Sequence, residues 1–118
     1  MDKINFFYVD YQGKPMTSFE VTGLIPQLDL KLIVDIVTEP DYTQYAIQFL
    51  QDSENFFKQE LETTNVATSD LGDGTVTIHI ELPFNFTNLL SPTSRNFTAK
   101  LLKNGQSVAE SKTSIYFN

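Results

Sequence analysis

The feature that most constrains this chain is a hydrophobic period of two. From Thr75, TVTIHIEL sets Val76, Ile78, Ile80 and Leu82 on one face and Thr75, Thr77, His79 and Glu81 on the other. That is the pattern of a half-buried strand, because successive side chains of an extended backbone point to opposite sides. LDLKLIVDIV repeats it, with Leu28, Leu30, Leu32, Val34 and Ile36 on one face. Its other face mixes Asp29, Lys31, Asp35, Ile33 and Val37, so this strand is expected to be partly covered on both sides. TQYAIQFL alternates Tyr45, Ile47 and Phe49 against Gln44, Ala46 and Gln48.

Four further strands are expected. INFFYVDY (Ile4 to Tyr11) holds three consecutive aromatics, and alternation separates Phe6 and Tyr8 from Phe7. SFEVT (Ser18 to Thr22), NFTAKLL (Asn96 to Leu102) and TSIYF (Thr113 to Phe117) complete the set. Between the last two lies Asn104-Gly105, two residues tolerant of positive φ, as a tight hairpin turn requires. The pair predicts that Phe97–Lys103 runs antiparallel to Gln106–Phe117. Turns are expected at Tyr11–Pro15, Gly23–Gln27, Thr38–Tyr42 and Leu71–Thr75, and a longer connection at Phe84–Arg95 between Pro83 and Pro92. Ser53–Leu61 reads either as a capped helical turn or as a strand with Phe57, Gln59 and Leu61 on one face; the threonine-rich tail and the all-strand context favour the strand.

Length fits one domain, residues 1–118, able to bury roughly two thirds of the surface its unfolded chain exposes. About seven to eight short strands joined by turns predict an all-β fold, an antiparallel Ig-like β-sandwich with Greek-key connections; a small closed β-barrel is the alternative.

Composition restricts function more than it assigns one. The chain has no cysteine, which removes disulfides, thiolate metal sites and cysteine nucleophiles. A net charge of −7 with eight scattered basic residues disfavours nucleic-acid binding. The N-terminal MDKINFFYVD shows no secretory signal and no window is apolar enough to span a bilayer, so the expectation is a cytoplasmic protein with no membrane contact. Asn85-Phe86-Thr87 and Asn96-Phe97-Thr98 match the glycosylation acceptor pattern, but without a secretory signal the pattern is set aside.

Candidate chemistry is sparse. His79 is the one histidine, with Glu81 on the same strand face. General-base work needs a carboxylate to orient the ring and nucleophilic work a nearby hydroxyl; the bland alternative is a surface sheet histidine. Asp70 and Asp73 around Gly72 and Gly74 suggest a calcium loop, yet the spacing fails the EF-hand pattern and reads as a turn. No nucleophile elbow, zinc-helix motif, dinucleotide fingerprint or phosphate-cradling loop occurs. We therefore expect no enzyme, no metal and no cofactor. The positive signal is aromatic excess: ten Phe and five Tyr, with doublets Phe6-Phe7 and Phe56-Phe57 that cannot both point inward. Phe7, Tyr11, Tyr42, Phe56, Phe84 and Phe86 are the candidate interaction surface, for a protein partner or for self-association.

TVTIHIELPF followed by a proline-bearing loop and NFTAKLLKNGQSVAESKTSIYF resembles the closing strands of Ig-like and fibronectin-III-like modules over Thr75–Asn118. The chain departs from antibody domains in lacking the cysteine pair and tryptophan, and Arg95-Asn96-Phe97 stands where a tyrosine corner is usual. The layout is also similar to small β-sandwich modules of phage tails and baseplates and to uncharacterised bacterial β-sandwich proteins. That likeness implies a phage-related, virion-associated role, and no functional residue carries over from it. The expected function is a non-catalytic protein-interaction or structural module. The alternative is a small-ligand binder with Phe and Tyr lining a cavity, and a third reading is an enzyme built on His79 and acids.

Overall fold

A computed structural model of the chain describes residues 2–21, 23–39, 44–61, 67–70, 72 and 74–118, with 67–70 described through the backbone. The described residues form ten strands: β1 (Lys3–Tyr11), β2 (Lys14–Met16), β3 (Ser18–Phe19), β4 (Leu24–Thr38), β5 (Tyr45–Gln51), β6 (Glu54–Glu60), β7 (Ala67–Asp70), β8 (Val76–Leu90), β9 (Thr93–Lys103) and β10 (Gln106–Phe117). They make two sheets that do not close into a barrel, ordered β2-β1-β4-β8-β7 and β3-β10-β9-β5-β6. With β1, β4, β7 and β8 lettered A, B, D and E, and β5, β6, β9 and β10 lettered C, C′, F and G, the sheets read A-B-E-D and G-F-C-C′. This is an immunoglobulin-type strand order. All strand pairs are antiparallel except β3 with β10.

The long ladder of β4 with β8 sets the shape. It pairs Leu24 with Leu90 at one end and Thr38 with Val76 at the other. Fifteen residues of extended chain span about 50 Å, matching the 49 Å long axis of the molecule. Sequence reading expected breaks at Gly23–Gln27 and Phe84–Arg95. Instead β4 runs through Pro26, β8 runs through Pro83, and the turn to β9 is only Ser91-Pro92, with a cis peptide bond. β1 pairs with β4 from Lys31 to Val37, and among the described residues β7 pairs with β8 from Val76 to His79. Pro83 lies opposite Lys31. Lacking an N–H, it cannot donate to Lys31, so its nitrogen faces away from β4 and the β4–β8 ladder loses no bond.

The other differences are local. Ser18–Thr22 shortens to a two-residue strand laid parallel on the end of β10, held by Tyr116 N–H to Thr17 O at 2.9 Å and Asn118 N–H to Phe19 O at 3.0 Å. The Ser53–Leu61 segment is a strand, entered through Asp52 and Ser53 at φ 49° and 72°. The expected β9–β10 hairpin forms across Asn104 and Gly105, at φ 50° and 82°.

Aromatic rings fill one half of the sandwich interior. Phe56, Phe84, Phe97, Phe86, Phe117, Phe19 and Tyr11 form a continuous relay with centroids 5.0 to 6.4 Å apart. Phe7, Phe49 and Phe57 form a second group at 5.9 and 6.4 Å. Aliphatic Leu32, Ile36, Ile47, Ile78 and Leu101, all fully buried, fill much of the rest. The aromatic excess is therefore spent largely on the core. Edge-to-face and offset ring pairs add to the area they remove from water.

Candidate functional site

The face of the first sheet turned away from the core carries a mixed set of polar, charged and apolar side chains. On β1 it presents Phe6, Tyr8 and Asp10; on β4, Asp29, Lys31, Ile33, Asp35 and Val37; on β8, Thr77, His79, Glu81 and Asn85. A bulge at Asn5 sets this arrangement. Ile4 pairs with Ile36 and faces inward; the extra residue shifts the phase, so Phe7 and Val9 also face inward and Phe6 and Tyr8 face out. Asn5 then donates from Nδ2 to Asp35 Oδ1 at 3.0 Å, tying the bulge to β4.

Cross-strand register puts the face in rows. Phe6, Asp35 and His79 form one, Tyr8, Ile33 and Glu81 the next, and Asp10, Lys31 and Pro83 the third. Phe6 and Tyr8 touch along β1, with ring centroids 5.8 Å apart, and Phe6 is 44% exposed. Ile33, although on the outer face, is only 4% exposed. The result is an apolar centre with a charged rim.

The rim is paired. His79 Nδ1 lies 3.8 Å from Asp35 Oδ2, and its Nε2 lies 3.4 Å from Glu81 Oε2. Lys31 Nζ donates to Glu81 Oε1 at 3.2 Å. That bond, reinforced by the Lys31 charge and by His79, holds the Glu81 carboxyl below its usual range. Because the two acids engage opposite ring nitrogens, the three side chains cannot converge on one ion. Among the described residues no group of three or more His, Asp or Glu could hold a metal. What the arrangement can do is fix a charged surface.

Of the six aromatics read from sequence as a surface, the five described ones differ in burial. Phe7 and Phe86 are core residues at 8% and 9% exposure. Phe7 points inward because of the Asn5 bulge, and Phe86 because its β8 row faces the second sheet. Tyr11 and Phe84 are half-buried against the core, Phe56 is exposed at the β6 edge, and Tyr42 lies outside the described residues. Asp73 of the acidic turn also lies outside them. Among the described residues the exposed aromatics are Phe6, Phe56 and Tyr116. Phase at the first doublet was the missing signal: without the bulge, Phe6 and Phe7 are interchangeable on paper.

At one end of the sandwich, fully buried Tyr45 donates its hydroxyl to Asp2 and accepts from Glu39 N–H at 3.4 Å. Burial raises the phenol above its ordinary value, and the bond to Asp2 raises it further. Lys103 pairs with Glu39 at 3.2 Å and lies 5.5 Å over the Tyr45 ring. Those bonds restrain Glu39 and join the first sheet to the second, which is a structural task.

No protein-family model, no curated protein and no solved structure matches the chain. The class defined by fold and site is an all-β, two-sheet sandwich with an aromatic, charge-rimmed outer face. No helix among the described residues is long and apolar enough to cross a membrane.

Proposed function

We propose that the chain is a non-catalytic, Ig-like interaction module that docks another protein on the outer face of β1, β4 and β8. The observation that carries this reading is Phe6, 44% exposed beside Tyr8 and bordered by Asp35, His79, Glu81, Lys31 and Asp10. An aromatic anchor inside a polar rim is the usual anatomy of a binding surface. Asp10, Asp29, Asp35 and Glu81 outnumber Lys3 and Lys31 on this face, which favours a partner with a basic contact surface. A second copy of a chain carrying −7 is the less favoured partner, since two copies repel.

Edge pairing is a weaker route. A bulge at Phe56 and the charge of Lys58 nearby interrupt the β6 edge among the described residues. These are devices that discourage strand addition. The test is affinity capture with the wild-type chain, Phe6→Asp and Tyr116→Ala, each checked for fold by circular dichroism. A partner kept by wild type and Tyr116→Ala but lost by Phe6→Asp supports the reading. A partner retained by Phe6→Asp overturns it.

A further inference from the structure

The opposite sheet carries a second, chemically different site. Where the β5–β6 turn meets β9 and β10, a groove of about 400 Å³ is lined by Asp52, Ser53, Asn96, Thr98, Lys112 and Ser114. Its polar groups are already organised. Asp52 Oδ1 accepts from Asn96 N–H at 3.1 Å and from Asn96 Nδ2 at 3.3 Å, while Ser114 Oγ donates to Asn96 Oδ1 at 2.6 Å. Asp52 N–H returns a bond to Asn96 O at 2.8 Å, and the left-handed backbone at Asp52 aims its carboxylate back over β9. Both Asn96 bonds fall on Oδ1, so Oδ2 is the oxygen on offer to a ligand among the described residues.

One row further along the same face of β10 stands Tyr116, 51% exposed, with Ser94 opposite it on β9 and Ser18 on β3. Lys112, Ser114 and Tyr116 alternate along that face at about 7 Å spacing. An exposed ring thus adjoins a groove of one carboxylate, one amide, one ammonium and several hydroxyls. The two charges cancel, so nothing selects an ionic ligand. Groups that both donate and accept, beside an aromatic platform whose negative face attracts C–H dipoles, match a ligand dense in hydroxyls with an apolar ring face.

We infer that this groove binds a neutral oligosaccharide, one sugar ring stacked on Tyr116 and the next hydrogen-bonded to Asp52 Oδ2 and Lys112. The site is independent of the docking face on the other sheet. The test uses maltoheptaose, cellohexaose, xylohexaose and mannohexaose, each titrated into the ¹⁵N-labelled full chain. Binding of at least one at a Kd of about 1 mM or tighter is expected. Its shifts should centre on the amides of Asn96, Lys112, Ser114 and Tyr116. Tyr116→Ala and Asp52→Asn, the latter keeping an oxygen acceptor for Asn96, should each weaken that binding at least about tenfold. Folding of both variants is confirmed by their amide spectra. No binding by any of the four sugars, shifts centred elsewhere, or affinity unchanged in both variants overturns the assignment.

Discussion

Replacing Phe97 with alanine should damage the protein more than any other single ring deletion at the β5–β6 end. Phe97 is fully buried on β9 and its ring contacts those of Phe84, Phe56 and Phe86 at 5.3, 6.1 and 6.4 Å. Deleting a buried phenylalanine costs about 3–5 kcal/mol, transfer and cavity together. The upper end applies here, because strands on both sides of Phe97 are fixed by ladders and cannot collapse into the void. A domain of 118 residues has a net stability of about 6–18 kcal/mol, so the variant loses roughly a quarter of it or more. At a urea m-value of about 2 kcal/mol/M, the midpoint should fall by about 2 M with m unchanged. Phe56→Ala is the internal comparison: that ring touches the same relay but is 38% exposed, and about 1–2 kcal/mol is expected. The Phe84→Ala/Phe97→Ala cycle should show a coupling of about 0.5–1.5 kcal/mol. A Phe97→Ala cost below about 1.5 kcal/mol, or equal to that of Phe56→Ala, would refute the picture of a ring-filled interior.

Tyr45→Phe should cost about 1–2 kcal/mol by removing the hydroxyl that bonds Asp2 and Glu39, read from urea midpoints. Since the folded phenol titrates above its unfolded value of 10.0, the stability it contributes is complete below about pH 10 and lost as pH rises through the folded value. Alkaline unfolding curves should show that loss in wild type and not in Tyr45→Phe. Gly105→Val forces a branched side chain into the left-handed region at φ 82° and should cost about 1–2 kcal/mol, with loss of β9–β10 amide protection in hydrogen exchange. Lys31→Met should change stability by less than about 1 kcal/mol, since the Lys31–Glu81 pair is half exposed.

Much of the fold was legible because period two is a strong signal and turn chemistry is local. TVTIHIEL, LDLKLIVDIV and the Asn104-Gly105 hairpin all appear where their residues put them. Strand length was not legible at Pro26 and Pro83. A proline breaks a strand only where its missing N–H is needed by a paired neighbour, and which side the nitrogen faces follows from register with β8 and β4. The site was legible only in part. His79 and Glu81 were correctly placed on a common face, but Asp35, Lys31 and Phe6 join them through cross-strand register that no local pattern specifies. Phe7 was read as a candidate surface residue and instead faces the core, because a one-residue bulge exchanges inward and outward positions. Phe86 was taken for a loop residue because the strand containing it was cut short.

The central claim is that Phe6 marks the surface the protein uses. It is tested most directly by photo-crosslinking, with p-benzoylphenylalanine introduced in turn at Phe6, at Leu90 on the far tip of β8 and at Tyr116 on the other sheet. These residues are 44%, 65% and 51% exposed, so reach does not separate them. We expect one discrete protein adduct from position 6, absent from positions 90 and 116, and displaced by excess unlabelled wild-type chain but not by Phe6→Asp. Adducts formed from position 90 or 116 and not from position 6 would contradict the account.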